Sequence, residues 1–458
     1  MAIQSINPAS NQVLETFEEL STTQVSAALE RAREAFDAWR RTGFGERAAL
    51  LHRAAALLRD EAGRHARHMV LEMGKPLVQA EAEVEKCAWV CEFYAEHAER
   101  FLSPEPVETD AARSYVRYDP LGTVLAVMPW NFPYWQVFRA AAPALMAGNA
   151  MLLKHASNVP RCALEIQEIF ARAAAPQGVF QTLLVGAGAV AGIVEHPAVV
   201  AATLTGSDPA GRALAETAGR RLKKTVLELG GSDPFIVLDD VNVDAVARQA
   251  SVGRTLNSGQ SCIAAKRFLI HEAVADRFAE AFGRELEALR VGDPLERETD
   301  VGPLARPDLV DELDDQVRRA VAAGAVVATG GRRLDGPGCF YAPTLLVDVA
   351  RDNPAAREET FGPVAALLRV RDEDEAVEVA NDSEFGLGAS VWSGDPARAE
   401  ALAPRIEAGH VAVNGVVKSD PRLPFGGVKN SGYGRELSSF GIREFVNVKS
   451  VWVGPSSG

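Results

Sequence analysis

The sequence predicts an α/β protein with a doubly wound parallel sheet and a second α/β domain. Three short apolar runs, at 122–128, 150–154 and 199–205, are typical of buried parallel strands, and helix-like sequence follows each of them. Strands that alternate with helices in this way build a doubly wound sheet. The chain has 458 residues, 47% of them hydrophobic, which is too long for one core, so two or three domains are expected.

The region that precedes these strands has helical periodicity. Its apolar residues recur on one face, which predicts amphipathic helices at about 22–40 and 46–73 and a long helix at about 77–101. The alternation of strands and helices begins only after this helical region.

A second α/β region begins near 234–238, where another apolar run indicates a buried strand. Later strands of this region are expected at 343–347 and 411–414. The boundary between the two regions therefore falls close to Glu228 and Cys262, and ligand clefts often form at such junctions.

Composition and charge exclude several classes of partner. The formal net charge of −14 disfavours nucleic acid and anionic membrane surfaces, because both need clustered Lys and Arg. The start of the chain, 1–5, lacks the basic region of a secretion signal, and no run reaches the roughly 18 apolar residues of a membrane span. We therefore expect a cytoplasmic protein that acts on a small molecule.

The cysteines do not form a pattern that indicates disulfides or a metal site. There are five, scattered along the chain, which argues against a disulfide framework. Cys87 and Cys91 are spaced to share one helix face, but two thiols without histidines make a poor metal site. Core packing is their expected role, and no metal is expected.

Cys262 has the neighbours of a reactive thiol. Gly259 allows the backbone to approach a ligand, and Ser258, Gln260 and Ser261 supply hydrogen-bond donors. A nucleophilic cysteine needs such a setting because the thiolate is the reactive form. The alternative is a buried structural cysteine, which is the ordinary role of a lone cysteine in an intracellular chain.

Glu228 is a candidate general base in the same site. It lies among Val226, Leu227 and Leu229, directly before a Gly-Gly pair, which is an unusual place for an acid. An apolar setting raises the pKa of a carboxyl group towards neutrality and makes it a better general base. The alternative is an exposed strand residue.

Gly206 and Ser207 are the candidate phosphate-binding residues. They follow the apolar run at 199–205 and precede helix-like sequence, so backbone donors would face a pyrophosphate there. The glycine-rich run at 186–192 looks like a dinucleotide fingerprint, but it has one residue too many before its last glycine and lacks an acidic partner.

These segments, with further motifs in the same order, resemble the aldehyde dehydrogenase superfamily. The resemblance extends from Ile6 to Glu436 and is most like short bacterial NADP-preferring succinate-semialdehyde dehydrogenases. The further motifs are Pro129-Trp130-Asn131-Phe132-Pro133, Leu204-Thr205-Gly206-Ser207, Glu358-Glu359-Thr360-Phe361-Gly362-Pro363 and Pro424-Phe425-Gly426-Gly427.

The resemblance implies a division into three functional parts. Residues 1–99 and 120–229 would form a dinucleotide-binding domain, and residues 230–430 an α/β catalytic domain. Residues 100–119 and 431–458 resemble small oligomerisation strands, so a homodimer or homotetramer is expected.

The implied reaction oxidises an aldehyde to a carboxylate through a thioester. Cys262 would attack the aldehyde carbon, and Asn131 together with the Cys262 amide would stabilise the resulting oxyanion. After hydride transfer to the dinucleotide, Glu228 would activate the water that hydrolyses the thioester. Glu436 matches a family position near the catalytic glutamate and is implied to support proton transfer.

The resemblance implies NADP as the preferred cofactor, with NAD as the other possibility. Lys154 matches a lysine that contacts the adenosine ribose, and NAD-preferring relatives often have a glutamate at the position of Ser157. A serine does not repel a 2'-phosphate, and Lys154 attracts it. If both are ordinary loop residues, the preference does not follow. The other residues implied to contact the cofactor are Trp130, Gly206, Ser207, Glu359 and Phe361.

Arg139 suggests which aldehyde is oxidised. It matches an arginine of succinate-semialdehyde dehydrogenases that pairs with the distant carboxylate, a task suited to a guanidinium group. Ser419 matches a serine that assists it, and Trp135 and Phe425 are implied as aromatic walls of the funnel. Many longer relatives have a second arginine where this chain has Leu256, so the carboxylate clamp is weaker or differently built.

Two alternatives to this substrate and this activity stay open. Arg139 is alternatively part of a surface salt bridge, and glutarate semialdehyde or uncharged aliphatic and aromatic aldehydes are then equally suitable substrates. The chain is alternatively a binding protein that kept the fold without catalysis. The intact set of Cys262, Glu228 and Asn131 argues against this second alternative.

Overall fold

The strands of the computed structural model, which describes residues 2–454, form one seven-stranded, one six-stranded and one three-stranded sheet and two two-stranded pairs. The strands are β1 (Ala2–Asn7), β2 (Gln12–Glu18), β3 (Glu105–Pro106), β4 (Arg113–Pro120), β5 (Thr123–Met128), β6 (Ala150–His155), β7 (Phe180–Thr182), β8 (Val199–Thr205), β9 (Lys224–Glu228), β10 (Asp233–Val237), β11 (Ala265–His271), β12 (Val326–Thr329), β13 (Thr344–Val347), β14 (Val364–Val370), β15 (Phe385–Gly386), β16 (Gly388–Trp392), β17 (His410–Val413), β18 (Val428–Lys429), β19 (Gly432–Tyr433) and β20 (Val446–Val453).

Helices pack against the two larger sheets. They are α1 (Thr22–Trp39), α2 (Phe44–Asp60), α3 (Ala62–Met73), α4 (Leu77–Leu102), α5 (Trp135–Met146), α6 (Pro160–Arg172), α7 (Val190–Glu195), α8 (Asp208–Arg220), α9 (Val243–Thr255), α10 (Glu272–Glu287), α11 (Pro307–Ala322), α12 (Pro354–Arg357), α13 (Glu373–Asn381), α14 (Pro396–Leu402) and α15 (Ser438–Glu444). None of the helices within residues 2–454 is both long and apolar enough to cross a membrane.

The six-stranded sheet confirms the predicted doubly wound fold. Its parallel strands lie in the order β9-β8-β5-β6-β7, with β19 antiparallel at the β9 edge. The chain runs outward from β5 to β7, returns to β8 on the other side of β5, and continues to β9. The strand order therefore reverses between β5 and β8, and such a switch point opens a crevice at the carboxyl ends of the strands.

The seven-stranded sheet is the second α/β region expected from the sequence. Its order is β12-β13-β14-β11-β10-β16-β17, and all pairs are parallel except that of the edge strand β12. The strands expected at 343–347 and 411–414 are β13 and β17. Glu228 ends β9 of the first sheet, and Cys262 shortly precedes β11 of the second.

The three-stranded antiparallel sheet has the order β20-β4-β3. β20 pairs with β4 along its whole length, from Val446 opposite Pro120 to Val453 opposite Arg113. These strands fall within or next to the segments 100–119 and 431–458 that were expected to bridge subunits. The last four residues of that second segment lie outside the described residues.

One helix boundary differs from the prediction. The helix expected at 46–73 is two helices, α2 and α3, because Glu61 leaves helical geometry with φ −115° and ψ 22°. Arg64 and Arg172 bind the Glu61 carboxylate at this break. The apolar periodicity continues through the break, so periodicity alone did not reveal it.

The cysteines other than Cys262 are structural. Cys87, Cys91, Cys162 and Cys339 are buried, and all five cysteines are free. Within residues 2–454, no group of three or more His, Cys, Asp or Glu side chains is arranged to hold a metal ion.

Candidate active site

Cys262 follows a strained loop between α9 and β11. Asn257, Ser258 and Gly259 have consecutive positive φ angles of 54°, 56° and 75°. This left-handed backbone destabilises a residue with a side chain by roughly 1–2 kcal/mol and persists only where the surroundings hold it. A Cβ on Gly259 would collide with the carbonyl group of Gly362, so only glycine fits there.

Two buried cations hold this loop, and the sequence analysis did not identify either. Arg254 donates from Nη2 to the carbonyl oxygens of Gly259 and Gly362, at 2.7 and 2.6 Å. Lys266 donates from Nζ to the carbonyl oxygen of Cys262 at 2.8 Å. The sequence does show a basic residue on each side of the 257–262 motif. Basic residues beside a motif are usually exposed to solvent, so neither residue stood out as part of the site.

Cys262 lies where two clefts meet. The larger cleft, of about 700 Å³, lies at the carboxyl ends of β5 and β8, and the smaller, of about 210 Å³, lies beside α4 and α5. Cys262 and Gln136 line both clefts. A molecule in either cleft can therefore approach the thiol.

The thiol is not ionised by its surroundings alone. Burial raises the pKa of Cys262 to about 12, although the nearby positive charges of Lys266 and Arg139 oppose the rise. The positive setting of a reactive cysteine is thus present, but burial outweighs it. The thiol must lose its proton to a base before it becomes the nucleophile at neutral pH.

Asn131 has one amide hydrogen available beside Cys262. Its Nδ2 donates to the carbonyl oxygen of Gln260 at 3.1 Å, and its Oδ1 accepts from Gln136 at 3.1 Å. A side-chain amide has two donor hydrogens, so the second remains for an oxygen in the larger cleft, which Asn131 lines. An oxyanion hole needs a free donor of this kind.

A buried carboxylate fixes the segment that contains Asn131. Glu83 of α4 accepts the backbone amides of Tyr134 and Trp135, both at 2.9 Å, at the start of α5. Lys75 forms a buried ion pair with Glu83 and lies 3.8 Å from the centre of the Phe132 ring. No sequence pattern predicts this contact, since the start of α5 is about 50 residues from Glu83 along the chain.

Gly206 and Ser207 line the larger cleft at the switch point of the sheet. The Gly206 amide donates to the carbonyl oxygen of Glu228 at 3.0 Å, so this amide extends the hydrogen bonding between β8 and β9. Ser207 is the N-cap residue of α8, and its side chain makes no capping hydrogen bond. Amides at the start of α8, with the positive end of the helix dipole, suit a phosphate group.

The predicted nicotinamide-side residues line the same cleft. Glu359 accepts the amide of Gly231 at 3.1 Å, and its Oε1 lies 3.4 Å from Lys266 Nζ. The rings of Phe361 and Trp130 meet edge to face with 5.7 Å between their centres. These contacts orient a carboxylate and two aromatic rings in the cleft that Cys262 also lines.

Lys154 and Ser157 lie outside the lining of the larger cleft, although they are at the same edge of the sheet. Lys154 is the residue before the end of β6 and is paired with Val127 of β5. It is buried, which lowers its pKa, and it forms no ion pair within residues 2–454. Ser157 is exposed just beyond the strand.

Glu228 is nearly fully buried, and its carboxylate lines neither cleft. Neither of its oxygens has a hydrogen-bond partner within residues 2–454. Burial raises the pKa of Glu228 well above its ordinary value, the charge of Glu436 adds to the rise, and Arg139 opposes it. The structure therefore brings Glu228 close to Glu436 and Arg139.

The predicted substrate residues line the smaller cleft. Phe425 packs 4.8 Å from the Arg139 guanidinium carbon, and Trp135 Nε1 donates to Ser419 Oγ at 3.1 Å. Lys86 of α4, which the sequence analysis did not identify, donates to the same oxygen at 2.8 Å. A single lysine in a long helix has no sequence pattern that would indicate its place at this cleft.

Comparison with known proteins gives consistent matches over the whole chain. The profile of the aldehyde dehydrogenase family matches residues 1–451. The chain is 52% identical over 453 residues to a probable NADP-dependent succinate-semialdehyde dehydrogenase of Synechocystis sp., a match that covers 99% of this chain and 100% of the relative. It is also 52% identical over 456 residues to an NADP-dependent succinate-semialdehyde dehydrogenase of Mycobacterium tuberculosis, with the same coverage.

Solved structures give the same result. The crystal structure of succinic semialdehyde dehydrogenase from Streptococcus pyogenes, in complex with NADP+ as the cofactor, superposes with a TM-score of 0.97. That protein is 40% identical, and the match covers 99% of this chain and 100% of the other.

Proposed function

Because the chain belongs to the aldehyde dehydrogenase family, we propose that it oxidises succinate semialdehyde to succinate with NADP as the hydride acceptor. The observation that carries this proposal is the position of Cys262, which lines both the larger and the smaller cleft. A dinucleotide in one cleft and an aldehyde in the other would meet at this thiol.

The reaction uses residues of both clefts. The Cys262 thiol first loses its proton to solvent water, and its sulfur then attacks the aldehyde carbon, while the free amide hydrogen of Asn131 stabilises the negative oxygen that forms. A bound nicotinamide supplies the hydride acceptor. Glu228 takes a proton from the water that hydrolyses the thioester, which returns Cys262 and releases the acid. Since its carboxylate lies outside both clefts, Glu228 reaches this water through a side-chain rotation or through a second water.

The larger cleft suits an NADP molecule. The start of α8, after Gly206 and Ser207, provides donors for the pyrophosphate, and Glu359 can accept hydrogen bonds from the ribose next to the nicotinamide. The adenosine ribose would lie further along the sheet edge, near Lys154 and Ser157. An unpaired lysine beside a serine favours a 2'-phosphate, so NADP is preferred and NAD is the weaker cofactor.

The smaller cleft suits an aldehyde that carries an anionic group. Its walls are aromatic and apolar, and they include Trp135, Phe425 and Leu256, while Lys86 and Arg139 contribute positive charges. An uncharged aldehyde would leave the ammonium charge of Lys86 without a partner in this cleft, because no ion pair of Lys86 occurs within residues 2–454. An anionic semialdehyde is therefore the better substrate.

We also propose that the protein forms a homo-oligomer and acts in the cytoplasm. The edge strand β20 exposes Val448 and Trp452, with 61% and 58% of their surface open, and pairing of this edge with a second copy would make a homodimer or homotetramer. Five free cysteines suit the reducing cytoplasm.

The experiment compares succinate semialdehyde with butanal, which has the same number of carbons but no carboxylate. NADPH or NADH formation is followed by absorbance with each aldehyde and each cofactor. We expect kcat/KM to be highest for succinate semialdehyde with NADP. Equal values for the two aldehydes would contradict the proposed substrate, and equal values for NADP and NAD would contradict the proposed cofactor preference.

A further inference from the structure

The charge of Arg139 is already compensated within the protein. Its guanidinium forms a buried ion pair with Glu436 and donates from Nη2 to Thr205 Oγ1 at 3.2 Å. The Phe425 ring lies 4.8 Å from the guanidinium carbon. Only 3% of Arg139 is exposed. A substrate carboxylate that used Arg139 would have to compete with Glu436 for the same charge.

Lys86 is a cation of the smaller cleft that has no such partner. Its Nζ donates to Ser419 Oγ at 2.8 Å and lies 4.2 Å from the centre of the Trp135 ring. Lys86 forms no ion pair with any residue in the range 2–454. An ammonium group has three donor hydrogens, so two of them remain after the bond to Ser419.

The acidic groups around Lys86 form ion pairs with other cations. Glu83, one turn earlier on α4, forms the buried ion pair with Lys75. Asp420, on the segment that carries Ser419, forms an ion pair with Arg422 at 2.6 Å. The positive charge of Lys86 is therefore not neutralised at the cleft.

Ser419 is oriented to donate a hydrogen bond. Its Oγ accepts from Lys86 at 2.8 Å and from Trp135 Nε1 at 3.1 Å. These two bonds occupy the acceptor positions of the hydroxyl group, and its own hydrogen must point elsewhere. No hydrogen bond donated by Ser419 occurs within the described part of the chain. The hydroxyl group and the ammonium group thus offer adjacent donors for one anion.

We propose that Lys86 is a ligand of the distal carboxylate of the semialdehyde, next to the hydroxyl group of Ser419. This inference rests on the proposed function, because it assumes an anionic aldehyde in the smaller cleft. Two oxygens of a carboxylate match the two donors, and Trp135 covers the side of the ammonium group.

The charge state of Lys86 supplies an independent test. Burial and the like charge of Arg139 lower the pKa of Lys86 to about 8, while Glu83, Asp420 and Cys87 oppose the shift. Lys86 therefore loses its charge as the pH rises through that value. The ratio of kcat/KM for succinate semialdehyde to kcat/KM for butanal cancels the titration of groups, such as Cys262, that serve both aldehydes.

We expect this ratio in the wild type to fall about tenfold between pH 7 and pH 9, in keeping with a pKa near 8. In Lys86→Met, which keeps the length of the side chain, the ratio at pH 7 falls roughly 30-fold and no longer changes with pH. Lys86→Arg keeps the charge and recovers most of the ratio. Lys418→Met, which removes an exposed lysine at the same cleft, lowers the ratio far less.

The outcomes separate the two proposals. If the wild type prefers succinate semialdehyde but Lys86→Met and pH leave the ratio unchanged, the role of Lys86 is wrong and the proposed function stands. If the wild type shows no preference over butanal at any pH, both are wrong. If Lys86→Met does not fold, the wild-type pH series compared with that of Lys86→Arg, whose charge stays constant between pH 7 and pH 9, tests the same role.

Discussion

Burial raises the pKa values of both proposed reactive groups, Cys262 and Glu228. A thiol with a pKa of about 12 is scarcely ionised at pH 7, and a protonated Glu228 cannot accept a proton. Both groups become competent as they lose protons, so the oxidation rate should rise with pH through neutrality. The cations Lys266 and Arg139 favour the ionised thiol and limit how high that pH must be.

Replacement of Glu228 should separate the two halves of the reaction, hydride transfer and thioester hydrolysis. Glu228→Gln keeps the size of the side chain but removes the base for thioester hydrolysis. We expect the steady-state rate to fall on the order of 10²- to 10⁴-fold, while a rapid first turnover of NADPH remains. Stopped-flow absorbance measures both phases.

The matched control is Glu216→Gln, an exposed glutamate on α8 that should behave as the wild type. Loss of the rapid first turnover together with the steady-state rate in Glu228→Gln would contradict this assignment. It would place Glu228 in the deprotonation of Cys262 instead.

Among the helices and strands, the sequence predicted the features that depend on a local pattern of apolar residues. The apolar runs of β5, β6 and β8 were found because buried parallel strands are continuously apolar. The break at Glu61 was not found, because the apolar periodicity of α2 continues into α3. The contacts of Glu83 and Lys86 were not found either, since they depend on how α4 packs against segments far along the chain.

The conformation of the loop before Cys262 also depends on contacts that the sequence does not show. Asn257 and Ser258 adopt positive φ angles although neither is a glycine, and buried bonds from Arg254 and Lys266 hold the segment. A sequence motif identifies such a loop as a site, but its backbone conformation follows from tertiary contacts.

Gly259→Ala tests how much that conformation matters. The new Cβ would meet the carbonyl of Gly362 at a residue whose φ is 75°. We expect the free energy of unfolding to fall on the order of 2–4 kcal/mol, with a loss of kcat, as measured by urea denaturation and NADPH formation.

Gly63→Ala is the control, because a Cβ at that position in α3 meets nothing within 4 Å. It should be neutral or stabilise the helix by up to about 1 kcal/mol. Equal stability of Gly259→Ala and the wild type would show that the loop tolerates a different conformation.

At the scale of the whole molecule, the two larger sheets form the clefts, and the three-stranded sheet contributes no residue to either of them. Its edge strand β20 leaves backbone groups and apolar side chains open to solvent. Such an edge is a template for pairing with another chain, and natural proteins rarely leave it uncovered. This separation suggests that assembly and chemistry depend on different parts of the chain.

The double variant Val448→Lys, Trp452→Lys tests the assembly through β20. Burial of each of these side chains at an interface would contribute roughly 1.5–3 kcal/mol, so two lysines per subunit should weaken association at least about 100-fold. We expect light scattering to show a smaller species than the wild type at the same concentration. Leu222→Lys replaces another apolar residue, which is 96% exposed and not part of this sheet, and should leave the mass unchanged. A double variant with the wild-type mass would exclude β20 as the interface, because two charges facing each other across a paired edge cannot remain without cost.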